Sequence, residues 1–298
     1  MALSLEIVPR KAVVVKRGEA VVAACWFGPF VERPYVYPFL APGGLEATRL
    51  GHPLDPVSHS HHRSIWIGHH DVSGVSFWEE NAEAGRIEVR KAAVAAASGV
   101  QVSAALDCAW VEKGGKILLE EKRTLLFADL PGGELALDLD LQLSPPAGSG
   151  PVVLGDTPFG LLGIRVARTM RVAEKLGGSI LNSGEAENES GCFWQHALWC
   201  DYSGPVPLPG PLPEKAGGAA LPAATVGVAC FDHPGNSPSG ETLWHVRDDG
   251  WMGPCVSKGQ PRTIAPGGTL RVRYRVEAHR GTAGEAGVDA RARAWRKN

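Results

Sequence analysis

Along most of the chain apolar and polar residues alternate with a period of two, and the clearest case is the run ELALDLDLQL at positions 134–143. There Leu135, Leu137, Leu139, Leu141 and Leu143 interleave with Glu134, Ala136, Asp138, Asp140 and Gln142, so an extended chain puts every leucine on one face. A helix would spread the same leucines around its axis. Two apolar bursts between Ala12 and Phe27, AVVV and AVVAACWF, are parted by KRGE and predict a hairpin. Further strands are predicted over 86–96, 100–112, 116–129, 225–231 and 269–281, with Gly114 and Gly115 supplying the positive φ of a tight turn between the second and third of these.

The connecting segments carry their own signals. Pro29, Pro34, Pro38 and Pro42 exclude a helix over 28–44 and leave an extended chain, with Arg33, Tyr35 and Tyr37 free to face a cleft. Gly155, Gly160 and Gly163 predict bends or bulges in the β-branched run 152–172, and the proline- and glycine-rich stretch 205–224 predicts an exposed loop. Helical composition is confined to about 285–297. A dozen or more strands without a dividing linker or a repeat predict an all-β chain, residues 1–298 as one domain of two packed antiparallel sheets with a short C-terminal helix.

Composition narrows the partners. With 44% hydrophobic residues the chain can fill a sizeable core, and its net charge of −2 offers neither a nucleic-acid footprint nor a polybasic membrane anchor. No apolar run suits a spanning helix, and MALSLEIVPRKAVVV lacks the charged and apolar regions of a secretory signal, so a cytoplasmic location is expected. The six cysteines form no Cys-x-x-Cys pair and read as reduced, buried thiols.

The chemistry gathers in three segments. His52 to Trp78 holds six of the ten histidines together with Arg63, Asp71, Trp66 and Trp78, and ionisable groups set among large apolar residues mark functional sites. The second segment, 194–202, has Trp199, Asp201 and Tyr202; the third, 232–251, has Asp232, His233, His245, Arg247 and Trp251. Flat aromatic faces stack on the C–H faces of sugars while Arg, His and Asp read hydroxyls, so the three are expected to converge on one sugar-sized pocket. Its binding residues are then His61, Arg63, His69, Asp71, Trp199, Tyr202, His233, Arg247 and Trp251. The rival reading is a metal-dependent enzyme with ligands at His59, His61 and His69, since alternate residues of a strand point the same way. Arg63 beside them opposes a cation, and no cofactor is expected. A sugar-binding module without catalysis is the third possibility.

Six motifs in order, RPYVYP, GHPLDPVSHSHHRSIWIGHHDVSGVSFW, GDTPFGLLGIRVA, ALWCDYSG, FDHPGN and LWHVRDDG, resemble the bacterial family labelled PmoA-like, or methane-oxygenase-like, across about Arg33 to Gly253. A methane monooxygenase subunit spans the membrane several times and this chain has no such segment, so oxygenase activity is not carried over. The family's Asp-His-Pro-His-His-Arg stands here as Ser58-His59-Ser60-His61-His62-Arg63. Its all-β length and His-bearing loops are similar to the galactose-mutarotase-like supersandwich. That resemblance implies a sugar epimerase, hydrolase or lyase, with His62 or His245 as the acid, Asp201 or Asp232 as the base, and Arg63 and Arg247 as orienting donors. The sequence leaves open the sugar, the reaction and the oligomeric state.

Overall fold

Strands form where the two-residue alternation places them. In Glu134–Ser144 the five leucines are each at most 3% exposed, and burying each is worth roughly 1.5–3 kcal/mol. Asp138 and Asp140, on the other face, pair with Arg275 and Arg271 of the adjacent Leu270–Arg280 strand. Both sequence-predicted hairpins are present, turning at Gly18 (φ 61°) and Gly115 (φ 89°). The computed structural model describes residues 2–50, 59, 61–173, 175–208 and 223–297; His52, Asp55, Ser58, Ser60 and most of the proline-rich loop lie outside the described residues.

Two large antiparallel sheets are stacked. The ten-stranded sheet runs Leu3–Val8, Ala12–Arg17, Ala20–Trp26, Tyr35–Ala41, Ile65–His69, Gly160–Arg165, Trp251–Cys255, Thr242–Arg247 and His196–Ala197, with Leu45–Glu46 beside Tyr35–Ala41. The eight-stranded sheet runs Ser179–Asn182, Trp199–Pro207, Ala223–Asp232, Leu270–Arg280, Glu134–Ser144, Ile117–Leu130, Gln101–Val111 and Arg86–Ala97. A small sheet pairs Val152–Leu154 with Arg262–Ile264.

One apolar core fills the space between the sheets. Ile65, Ile67, Leu162, Ile164, Trp244, Val246 and Met252 enter it from the ten-stranded sheet, facing Val102, Phe127, Leu139, Val228, Tyr274 and Val276 from the other. A bidentate ion pair is buried there too: Glu121 accepts from Arg123 Nε at 2.5 Å and Nη2 at 3.0 Å, and from Trp110 Nε1 at 2.7 Å. All six cysteines are free and buried, as their spacing predicts. The C-terminal helix Val288–Trp295 lays Val288 and Ala292 on Trp199, Ala229 and Phe231, covering the outer face of the eight-stranded sheet. On the ten-stranded sheet, the same alternation that sends isoleucines inward sends Trp66, His245 and Trp251 outward. No described helix is long and apolar enough to cross a membrane.

Candidate functional site

On that outer face Trp66 and Trp251 meet Trp78, from the loop after Ile65–His69, in a cluster separate from the inter-sheet core. The three indole centroids are 5.2 Å (Trp66–Trp78), 5.5 Å (Trp66–Trp251) and 5.4 Å (Trp78–Trp251) apart. His62 completes the group, stacked 5.0 Å from Trp66 and 5.2 Å from Trp251. Glycine is required beneath them, since a Cβ on Gly163 would lie 2.6 Å from Trp66 and 2.8 Å from Trp251. The Gly160–Arg165 strand keeps an even register against Ile65–His69. Gly163 is thus no bulge, as the sequence suggested, but the place where two indoles approach the backbone.

His245 extends the site. It lies 5.7 Å from Trp251 and is ringed by Phe159, Phe193 and Trp194 at 5.3, 5.4 and 5.2 Å. Its Nδ1 is 3.2 Å from the Pro158 carbonyl, which only accepts, so Nδ1 carries the proton and Nε2 keeps its lone pair. His59 (φ 52°), Ser64 (φ 57°) and Trp194 (φ 55°) hold left-handed backbones around the cluster, a conformation that costs energy outside glycine and gathers at functional sites.

Three guanidiniums frame the rings. Arg33 is buried, donates Nη2 to the His61 carbonyl at 2.8 Å and lies 3.3 Å from Glu80, which ties the histidine loop to the Tyr35–Ala41 strand. Arg63 donates Nε and Nη2 to the two Glu80 oxygens, both at 2.8 Å, and covers the Tyr35 ring. Arg165, also buried, is 2.8 and 3.3 Å from the oxygens of Asp249. Burial opposes ionisation of Glu80 and Asp249, but these arginines outweigh it and hold both carboxyls below their ordinary range. Glu79 stands between His61 and His70 at 3.8 and 3.9 Å, beyond hydrogen-bond reach.

Burial sets the protonation of the histidines. Desolvation lowers His245 to about 4. His62 is held well below its usual value by burial and then by the positive charges of His61, Arg165, His59 and Arg33. Both are neutral near pH 7. Four buried ring nitrogens of the cluster, His62 Nδ1 and Nε1 of Trp66, Trp78 and Trp251, have no hydrogen-bond partner among the described residues. Each such group costs about 1–3 kcal/mol if nothing pairs it. The indoles of Trp26, Trp110, Trp199 and Trp244 are all bonded.

The three sequence segments converge only in part. His61, His62, Arg63, His245 and Trp251 share this face, with Arg247 at its rim over Phe193 and 3.2 Å from Glu189. His69 lies on the inner side, accepting from the Asp71 amide at Nδ1 and bonding Ser257 at 2.8 Å; Asp71 caps the Gly74 amide in a turn. Trp199 lies under the C-terminal helix, bonded to Asp289. Asp201 is buried against His279 at 2.6 Å and Ser203, and Tyr202 fills the inter-sheet core with its hydroxyl on the Asp248 carbonyl. Asp232 accepts from Asn236 and Thr242, and His233 meets Trp295 edge-on. His69 is on the core side of the ten-stranded sheet and Asp71 in the turn after it, whereas Trp199, Asp201, Tyr202, Asp232 and His233 belong to the eight-stranded sheet and its cover, and a core about 10 Å thick parts its outer face from that of the ten-stranded sheet.

The metal set separates for the same reason. His59 and His61, with ring centroids 6.0 Å apart, are parted from His69, which faces the other way, three residues beyond Trp66 on one strand. No group of three or more His, Cys, Asp or Glu among the described residues is placed to hold a metal ion. Sequence reasoning also passed over Glu80, Arg165, Asp249 and Phe159. A lone arginine ending the apolar strand GLLGIR was the available signal for Arg165, because a buried charge needs a partner; Glu80 stands in the polar run EENAEAG, which gives no such signal.

No curated protein matches the chain. Residues 12–293 match the model of DUF6807, a family of unknown function, and the chain belongs to that family.

Proposed function

We propose that this protein binds a sugar or sugar-derived ligand over the His62, Trp66, Trp78 and Trp251 cluster and takes a proton from it, as an epimerase or lyase of sugar catabolism. The observation that carries the reading is the set of four unpaired ring nitrogens one aromatic contact from His245, whose Nε2 lone pair is free of the Pro158 bond. The partly exposed rings of Phe159, Phe193 and Trp194 around His245 give a sugar ring its apolar wall, and the unpaired N–H groups of the adjoining buried cluster give its oxygens their donors.

The roles differ from those the mutarotase-like resemblance implies. Histidines held neutral by burial serve as bases rather than acids at pH 7. Asp201 and Asp232 are engaged elsewhere. Glu80 and Asp249 are committed to arginines, which leaves little support for a hydrolase that needs two free carboxyls astride a glycosidic bond. The reading keeps the galactose-mutarotase-like supersandwich and the PmoA-like motifs as its analogues.

The test is hydrogen exchange. The protein is incubated in D₂O with a panel of aldoses, ketoses and sugar acids, and loss of each C–H signal is followed by proton NMR. One ligand is expected to exchange a C–H, and His245→Ala to slow that exchange by roughly 10²–10⁴-fold while binding persists. Binding without exchange in the wild type would make the protein a non-catalytic sugar-binding module, and no binding by any sugar would refute the proposal.

A further inference from the structure

We infer that the ligand of this face is an anion, a sugar acid whose carboxylate accepts from the unpaired ring N–H groups; this rests on the sugar-binding reading above and narrows it. The first ground is the kind of polar atom left over. Trp66, Trp78 and Trp251 are 1%, 1% and 3% exposed, and an indole nitrogen donates and never accepts. The Nε of Arg33, a residue 1% exposed, is likewise unpaired among the described residues. With His62 Nδ1, which takes either tautomer, the unpaired polar atoms of the ring cluster among the described residues are donors, and the free acceptor, His245 Nε2, stands beside the cluster. Hydroxyls of a neutral sugar bring donors of their own, whereas a carboxylate brings two oxygens that only accept.

The second ground is charge placement. The carboxylates of this face lie towards solvent, Glu80 at 15%, Asp249 at 33% and Glu79 at 34% side-chain exposure, while the guanidiniums of Arg33 and Arg165 are buried at 1%. The deep part of the site is therefore the positive part, and water weakens the negative rim more than the buried cations. The buried guanidiniums of Arg165 and Arg33 both act on His62 and oppose a positive charge there. An anion seated on the rings meets those cations at short range in a medium of low polarity.

The experiment uses the whole wild-type chain and isothermal calorimetry. D-glucuronate, D-galacturonate and D-gluconate are each compared with a neutral counterpart: D-glucose, D-galactose and D-glucitol. At least one acid is expected to bind tenfold or more tightly than its counterpart, with the advantage shrinking as sodium chloride is raised to about 0.5 M. Asp249→Asn, which removes the negative partner of Arg165, is expected to tighten acid binding severalfold and leave neutral sugars unchanged, a gain that misfolding cannot imitate. Neutral sugars binding as tightly as the acids would overturn the substrate class and leave the sugar reading standing. If neither set binds, both fall.

Discussion

Replacing Gly163 by alanine probes the packing that builds the site without removing any of its functional groups. The added methyl carbon would lie 2.6 Å from Cε2 of Trp66 and 2.8 Å from Cζ3 of Trp251, where carbon pairs normally rest about 3.5–4.0 Å apart. Each ring must therefore retreat by about 1 Å. Neither has space to do so freely, since Trp66 and Trp251 are 1% and 3% exposed and both back onto Trp78. Overpacking of this kind costs about 1–3 kcal/mol. Alanine strains no backbone here, because Gly163 has no positive φ, and its lower unfolded-state entropy returns about 0.4–1 kcal/mol. A net loss of about 1–2 kcal/mol follows. Gly150→Ala is the control, for its added carbon meets nothing within 4 Å. Urea unfolding followed by circular dichroism should show a lower midpoint at unchanged slope for Gly163→Ala only. Equal midpoints for both variants and wild type would refute the ring packing described above.

Three further outcomes follow from buried charge. Glu121→Ala leaves Arg123 alone between the sheets, where the pair is 0% and 2% exposed, and should destabilise by about 3–5 kcal/mol in the same urea assay. Burial raises the Asp232 carboxyl to about 7 against the hydrogen bonds of Thr242 and Asn236. A carboxyl whose folded pKa lies above its unfolded value favours the fold at low pH, so stability is lost as pH rises from about 4 through about 7, by about 4 kcal/mol in all. Asp232→Asn keeps the protonated form's hydrogen-bond pattern and should flatten that loss between pH 5 and pH 8. If His245 is the base, the second-order exchange rate at low ligand concentration should rise with pH through about 4 and stay level above it; a rise centred near 6.5 would assign the base to an unburied histidine.

The fold was legible because period-two alternation is enforced by burial on one face: the leucines of 135–143 and the outward aspartates beside them could not be exchanged without exposing the core. The histidine stretch was legible as a site by density, and His62, Arg63, His245 and Trp251 do share a face. What the sequence could not show is which sheet, and which side of it, each remaining residue takes. Trp199 and Asp201 carry the same residue types as the site, yet their strand lies in the other sheet under the C-terminal helix. His69 follows Trp66 by three positions, an odd number, and so faces the core. Arg165 and Asp249 are 84 residues apart, and only the pairing of the Gly160–Arg165 and Trp251–Cys255 strands brings them together.

The central claim is that ligand meets the outer face of the ten-stranded sheet, and the nine tryptophans provide an internal scale for it. Indole N–H resonances of ¹⁵N-labelled protein, assigned by single Trp→Phe variants, are followed as the ligand found by the exchange and calorimetry experiments is added. The signals of Trp66, Trp78 and Trp251, unpaired among the described residues, should move towards hydrogen-bonded positions. Those of Trp110, Trp199 and Trp244, already bonded to Glu121, Asp289 and the Ala197 carbonyl, should stay in place. Movement of the Trp199 signal with the three unpaired indoles unchanged would put the ligand on the opposite sheet and contradict the account.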